Sequence, residues 1–312
     1  MNAESNQSII ITPIYEDATA SSKLFSDLAL LYGDTIYIVA VDDGSVHEPI
    51  NINHITDANL HGVVLKLKRN VGHQRAIAIG LGYVADKLSN AKNAIIMDSD
   101  GEDAPTSIKA LLEDLQQPNI DIVVSKRKSR VETIWFTLFY SFYKRLFKLL
   151  TGRKISFGNF IALKQPAIKR LVAMPELWTH VAGCVLASKL RVSERLLDRG
   201  PRYAGVSKMN FVGLALHGFK ALMVFSEDVL VRVGIICSIV AIMSLLGMAL
   251  AIALKALSFA TPGWFSIALG ILLLVFLQTG ALTLMSLLLT GVVKNNTPAK
   301  VDYKEFIETI HK

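Results

Sequence analysis

Two long uncharged stretches near the C-terminus constrain this chain more than any other feature. Between Arg232 and Lys294 the only charged residue is Lys255, which leaves 22 uncharged residues over 233–254 and 38 over 256–293. About 20 apolar helical residues cross a bilayer core, so the first stretch spans once. The second is too long for one span and contains Thr261-Pro262-Gly263, a turn signal, which leaves 264–293 as a second span. A buried hairpin in a soluble protein seldom runs so far without a charge. The expectation is two transmembrane helices joined by a short loop.

The flanks set an orientation. Residues 1–8 carry one acid, no base and no apolar run, so no signal peptide is expected. The loop between the spans holds only Lys255, whereas Lys220 and Arg232 precede them and Lys294, Lys300, Lys304 and Lys312 follow. The positive-inside bias puts both flanks, and so both termini, in the cytoplasm. Cys184 and Cys237 sit far apart, one in the cytosolic part and one in a span, and no structural disulfide is expected.

The part before the spans divides by charge. Residues 1–125 hold 8 Lys and Arg against 17 Asp and Glu, and residues 126–232 hold 20 against 6. An acidic half that works on polyanions needs a metal ion as a bridge, while a basic half beside two spans can hold anionic headgroups directly. The adjacent spans explain the basic residues better than nucleic acid does, and no nucleic-acid partner is expected.

Within the acidic half, β-branched runs at 8–13, 35–41 and 94–97, with further candidates at 63–67 and 121–124, alternate with helical stretches at 20–32, 74–87 and 107–116. This order predicts an α/β fold with a mostly parallel sheet covered on both faces, where ligands bind beyond the carboxyl ends of the strands. Acidic clusters follow three of the runs: Glu16-Asp17, Asp42-Asp43, and Asp98-Ser99-Asp100-Gly101-Glu102-Asp103. Gathered at one rim they repel unless a cation or a donor-rich ligand sits among them. In an extended segment Asp98, Asp100 and Glu102 point one way, and such hard oxygen ligands suit Mg²⁺ or Mn²⁺. A calcium loop of the EF-hand kind is excluded, because its sixth and twelfth positions fall on Asp103 and Lys109. Asp103 reads instead as a residue near the N-cap of the turn at Pro105. Gly80-Leu81-Gly82 is a partial dinucleotide fingerprint, but it lies inside a helical stretch and lacks the third glycine. His73 precedes the same stretch, where it could approach a diphosphate or sugar, and reads first as structural.

These segments together resemble family 2 glycosyltransferases of the GT-A fold, in the branch that includes dolichyl-phosphate mannose synthase and bactoprenol glucosyltransferases. The resemblance is carried by TPIYED at 12–17, VDDGS at 41–45, NVGHQRA at 70–76, the D-x-D of Asp98 and Asp100, SKRKSR at 125–130, GNF at 158–160 and RYAGVSK at 202–208. It implies the GT-A nucleotide-diphospho-sugar transferase fold and a metal-dependent, inverting transferase. The enzyme would move one sugar from a nucleotide-diphosphate sugar to a polyprenyl phosphate. Pro13, Tyr15, Glu16, Asp42 and Asp43 would hold the base and ribose, with Asn70, Arg75 and Ser99 also on the donor side. Asp98, Asp100 and Glu102 would hold Mg²⁺ or Mn²⁺ and the diphosphate, and Arg127 and Arg130 would clamp the acceptor phosphate, with Lys126, Lys144, Arg145, Arg202 and Lys208 in supporting roles.

Three departures stand out: family members usually carry Leu where Gly101 stands, often Gln where Glu102 stands, and related bactoprenol enzymes tend to carry Asp where Asn159 stands. They keep two other readings open, a transferase with another lipid-linked saccharide as acceptor and a noncatalytic membrane scaffold. The resulting division is a catalytic domain over 1–205, an interfacial region over 206–232, the spans, and a cytosolic tail over 294–312. Residues 135–150, rich in aromatics and bases, read as a further interfacial helix. Similar two-span enzymes assemble as tetramers, in which the tail could join neighbouring subunits.

Overall fold

A computed structural model of the chain describes residues 7–127, 134–204, 211–259, 261, 263–295 and 301–312. In chain order the elements are β1 (Ser8–Ile14), α1 (Ala18–Tyr32), β2 (Ile36–Asp42), α2 (Asn53–Thr56), β3 (His61–Leu67), α3 (His73–Lys87), β4 (Asn93–Ile96), α4 (Ile108–Leu115) and β5 (Ile122–Arg127). There follow α5 (Ile134–Thr151), β6 (Ile161–Lys164), α6 (Gln165–Val172), α7 (Val181–Ala187), β7 (Val192–Leu197), α8 (Phe211–Met223), α9 (Ser226–Ala256), α10 (Trp264–Asn295) and β8 (Ile307–His311). The chain separates into two compact units. One holds the whole sheet, α1 to α4, the start of α5, and α6 to α8; the other holds residues 145–153 with α9 and α10.

The eight strands form one sheet in the order β7-β5-β6-β4-β1-β2-β3-β8. Its centre, β4-β1-β2-β3, is parallel, β5 and β7 also run parallel to each other, and β6 and β8 are antiparallel to their neighbours. A sheet covered on both faces needs strands that are apolar throughout rather than alternating. That is why Ile9, Ile10 and Ile11 stand in sequence and are all fully buried. Ile9 and Ile11 pack with Val39, Val41 and the buried side of α3, whereas Ile10 packs with Ile38, Leu24 and Phe25 on the other face. Burying a side chain of this size contributes roughly 1.5–3 kcal/mol.

Register decides where the acidic clusters go. Ile14 pairs with Asp42 and Ile11 with Ile96, so the segments that leave β1, β2 and β4 emerge at one rim of the sheet.

The C-terminal segment returns to this unit. Strand β8 adds to the free edge of β3 with Leu65 opposite Ile310, and the N–H of Lys68 donates to the carbonyl of Phe306 at 3.0 Å. Tyr303 donates its hydroxyl to Asp86 at 2.8 Å, and the Phe306 ring stacks on Trp178 at 5.5 Å. Expected as a cytosolic tail that could join neighbours, residues 307–311 satisfy the edge groups of their own chain, because an open strand edge needs partners.

In the second unit α9 and α10 pack along each other, with Gly234 so near Ser286 that a Cβ would lie 2.8 Å from its Oγ. Both helices are long and apolar enough to cross a membrane. They leave large side chains bare: Leu246 is 60%, Leu274 67% and Leu288 72% exposed. A core helix of a soluble domain would bury these. The helices extend the expected spans to 226–256 and 264–295. Within the expected interfacial region 206–232, the described residues form two helices rather than one, since α8 ends at Met223 and α9 starts at Ser226.

Candidate active site

The rim loops are tied together by their own carboxylates. Asp42 is fully buried and its Oδ1 accepts the N–H of Ser45 at 2.9 Å, closing the turn after β2. Asp43, also buried, accepts from the N–H groups of Val71 at 2.7 Å and Gly72 at 3.0 Å, fixing the loop that feeds α3. Burial raises the Asp43 pKa, and the two N–H groups work against that rise. Glu16 sits at φ +48°, and its carboxylate accepts N–H groups from Val46 at 2.7 Å, His47 at 3.0 Å and Glu48 at 2.7 Å. These backbone donors, Val46 and Glu48 foremost, hold its pKa below the ordinary value.

Of the other donor-side residues, Tyr15 is exposed at the rim, while Pro13 is buried within β1 opposite Val41. Asn70 and Arg75 are exposed on the loop before α3 and on its first turn. Ser99 is buried and its hydroxyl lies 3.4 Å from the Asp17 carboxylate.

The segment after β4 does not present its acids as an extended strand would. It turns at Ser99-Asp100, and Gly101 takes φ +86°. Two-residue alternation belongs to extended backbone, so Asp98 parts from Asp100 and Glu102. Asp98 places Oδ1 3.2 Å from Nε2 of His73. Asp100 and Glu102 turn together: Arg202 reaches Oδ2 of Asp100 at 2.6 Å and Oε1 of Glu102 at 3.4 Å, and Arg199 pairs with Glu102 as well. Asp103 directly precedes Ala104, the N-cap of the helical turn at Pro105. Its Oδ2 accepts the N–H of Asp98 at 3.0 Å.

His73 faces Asp98 at the rim. The Asp98 carboxylate beside it raises its pKa above the ordinary value. His73 also ends a chain of contacts: the N–H of Val181 donates to Gln74 at 2.7 Å, Gln74 to Oδ1 of Asn159 at 3.2 Å, and Asn159 Nδ2 lies 3.0 Å from His73 Nε2. This carries Asn159 of the GNF segment to the acidic rim.

Among the described residues no three His, Cys, Asp or Glu side chains converge as a ready-made metal cluster. Two do converge, Asp100 and Glu102, on a single guanidinium. Hard carboxylate oxygens facing one positive group fit a divalent cation of the Mg²⁺ or Mn²⁺ kind.

Of the basic residues expected to meet the acceptor, Arg127 ends β5 with its backbone opposite Leu197. Arg130 and Lys208 lie outside the described residues. Lys126 pairs with Glu194 at 2.7 Å. Arg199 is the residue that reading the sequence missed; its signal is the spacing Arg199-Gly200-Pro201-Arg202, two bases bracketing a turn directly after β7.

Residues 9–171, just over half of the chain, match glycosyl transferase family 2. The chain belongs to this family. Among family relatives, an uncharacterized glycosyltransferase of Synechocystis is 28% identical over 90% of this chain and 88% of its own length. A dodecaprenyl-phosphate galacturonate synthase of Rhizobium johnstonii is 25% identical over 64% of this chain and 60% of its own. The glycosyltransferase fold is shared with glucosyl-3-phosphoglycerate synthase from Mycobacterium tuberculosis, solved with phosphoglyceric acid, at a TM-score of 0.52 and 12% identity over 72% of this chain and 80% of that one. The same enzyme solved with Mn²⁺, UDP-glucose and phosphoglyceric acid gives 0.50 at 15% identity, over 73% and 79%. The family 2 architecture is therefore GT-A, with the acidic rim at the edge where its strands end.

Proposed function

We propose that this family 2 glycosyltransferase moves one sugar, with inversion, from a nucleotide-diphosphate sugar to a polyprenyl phosphate at the cytoplasmic face of a membrane. The observation that carries this reading is the convergence of Asp100 and Glu102 on one positive group, in a chain that also holds two exposed apolar helices. A relative named for dodecaprenyl-phosphate galacturonate synthesis, and a structural neighbour crystallised with Mn²⁺ and UDP-glucose, support it.

In this reading Tyr15, exposed beside the turn held by Glu16 and Asp43, packs against the base, and Asn70 and Arg75 flank the donor. Asp42 and Asp43 act through the backbone they fix, keeping the rim loops in place before the donor arrives. Asp100 and Glu102 would hold Mg²⁺ or Mn²⁺, which when bound supplies neutralising charge to the departing diphosphate. Arg127 and Arg130 clamp the acceptor phosphate, for which a guanidinium fork is suited.

A phosphate acceptor needs little deprotonation, because its second pKa is about 6. Asn159, which cannot act as a base, is therefore compatible with turnover. It orders His73 beside Asp98 instead.

Purified protein in detergent should release nucleoside diphosphate only when a divalent metal and a polyprenyl phosphate are both present. Release that ignores the lipid phosphate would remove the acceptor assignment. Unchanged turnover by Asp100→Ala would remove the metal assignment.

A further inference from the structure

Gly101 and Glu102 share one neighbour, the strap 199–203. Tyr203 donates its N–H to the carbonyl of Asp100 at 2.8 Å, and Gly200 donates its own to the carbonyl of Glu102 at 2.9 Å. The strap is thus stitched to the acidic loop on both sides of Gly101. The fit leaves no room for side chains: a Cβ on Gly101 would lie 2.5 Å from Cδ2 of Tyr203, and one on Gly200 2.5 Å from the Gly101 carbonyl oxygen. At φ +86° a leucine at 101 would also be strained. Tyr203 is anchored away from the loop, its hydroxyl donating to Asp27 at 2.5 Å and its ring lying under Lys23 at 4.9 Å. From this base Arg202 and Arg199 reach the two carboxylates, and the second of them is a carboxylate only because residue 102 is Glu.

We propose that the strap is a latch: Arg199 and Arg202 are internal counter-cations that occupy the carboxylates of Asp100 and Glu102, and a divalent metal binds by exchanging with them. Gly101 and Glu102 are then one adaptation, the first making space for the Tyr203 ring and the second adding the acid that Arg199 holds. The proposal rests on the metal role given above to Asp100 and Glu102. The exchange is chemically balanced, since a doubly charged cation replaces two singly charged guanidinium groups at two carboxylates. It needs no unfolding, because the Arg199 side chain is 44% exposed and can swing outward.

The test is Mn²⁺ affinity, read on full-length protein in detergent from the electron paramagnetic resonance signal of free Mn²⁺, with no donor or acceptor present. Arg199→Gln with Arg202→Gln removes both competitors and should tighten Mn²⁺ binding about tenfold, the worth of two partly exposed ion pairs. Arg199→Lys with Arg202→Lys keeps the charges and should stay near wild type. Adding Asp100→Asn to the double Gln variant should abolish the gain. Unchanged or weaker Mn²⁺ binding in the double Gln variant overturns the latch, as does a gain that survives Asp100→Asn. Should the double variant fail to fold, Tyr203→Ala, which frees the strap and keeps both arginines, must tighten Mn²⁺ for the latch to stand. The metal reading fails separately, if Asp100→Asn alone binds Mn²⁺ as wild type does.

Discussion

The Nε2 atoms of His180 and His217 lie 3.0 Å apart, with the ring planes tilted by 47°. Nδ1 of His180 accepts the N–H of Gly183 at 3.0 Å, capping α7. That leaves the neutral ring's proton on Nε2, which donates to His217. Burial, with the charges of His217 and Lys220 adding to it, pushes the His180 pKa down to about 3. In the unfolded chain it is about 6.5. As pH falls, the unfolded state therefore takes up the proton first, and stability drops through the window from about 6.5 toward 3. The slope is at most roughly 1.4 kcal/mol per pH unit for this group. Thermal melts at pH 7, 6 and 5 should show a falling midpoint, and His180→Asn, which keeps an acceptor for Gly183, should flatten that fall.

Gly80 serves packing. A Cβ there would meet Cγ2 of Ile11 at 2.6 Å and Cγ2 of Val41 at 3.2 Å, so α3 lies directly on the sheet. Gly80→Ala should destabilise by about 1–3 kcal/mol despite its better helix propensity. A thermal midpoint equal to or above wild type would contradict this contact.

The Asp43 carboxylate holds two backbone donors, Val71 and Gly72, in a buried place. Asp43→Ala leaves both without it and should cost about 2–4 kcal/mol. Hydrogen exchange at those two amides should rise far more than exchange in β1, and donor binding should weaken with it.

Tyr303 and Asp86 tie the C-terminal segment to α3, and the Tyr303 hydroxyl together with Lys304 lowers the Asp86 pKa to about 2. Asp86 is partly exposed, so Tyr303→Phe should cost only about 0.5 kcal/mol. Because the Asp86 pKa is lowered on folding, this contribution is present above about pH 4 and lost as pH falls toward 2. Removing residues 301–312 exposes the β3 edge and should lower the thermal midpoint by several degrees while promoting association.

Much of the molecule was legible beforehand. The runs at 8–13, 35–41 and 94–97 became β1, β2 and β4 within one or two residues, because a buried parallel strand must be apolar along its whole length. The stretches at 20–32 and 74–87 became α1 and α3. The apolar helices announced themselves by the absence of charge. Strands β6, β7 and β8 were missed. Strand β7, VSERLL, carries charges and lies at a sheet edge, and β8, IETIH, is a mostly exposed edge strand whose pattern is weak without its partner.

At the site, the sequence named the acids and the order in which they leave the strands, but the expectation that Asp98, Asp100 and Glu102 point one way did not survive the turn at Gly101. It also passed over His73 as a partner of Asp98, and over Arg199 altogether.

Which residues are acidic, which segments are the buried central strands and which helices are apolar enough to cross a bilayer were determined by the sequence alone, because each depends on neighbours a few positions away. Which partner each acid faces was decided only by the tertiary structure. Glu102 meets Arg202 across 100 residues and Tyr303 meets Asp86 across 217. No local pattern of residues encodes such pairs, because they form only when the packing of the sheet and its helices brings distant segments together.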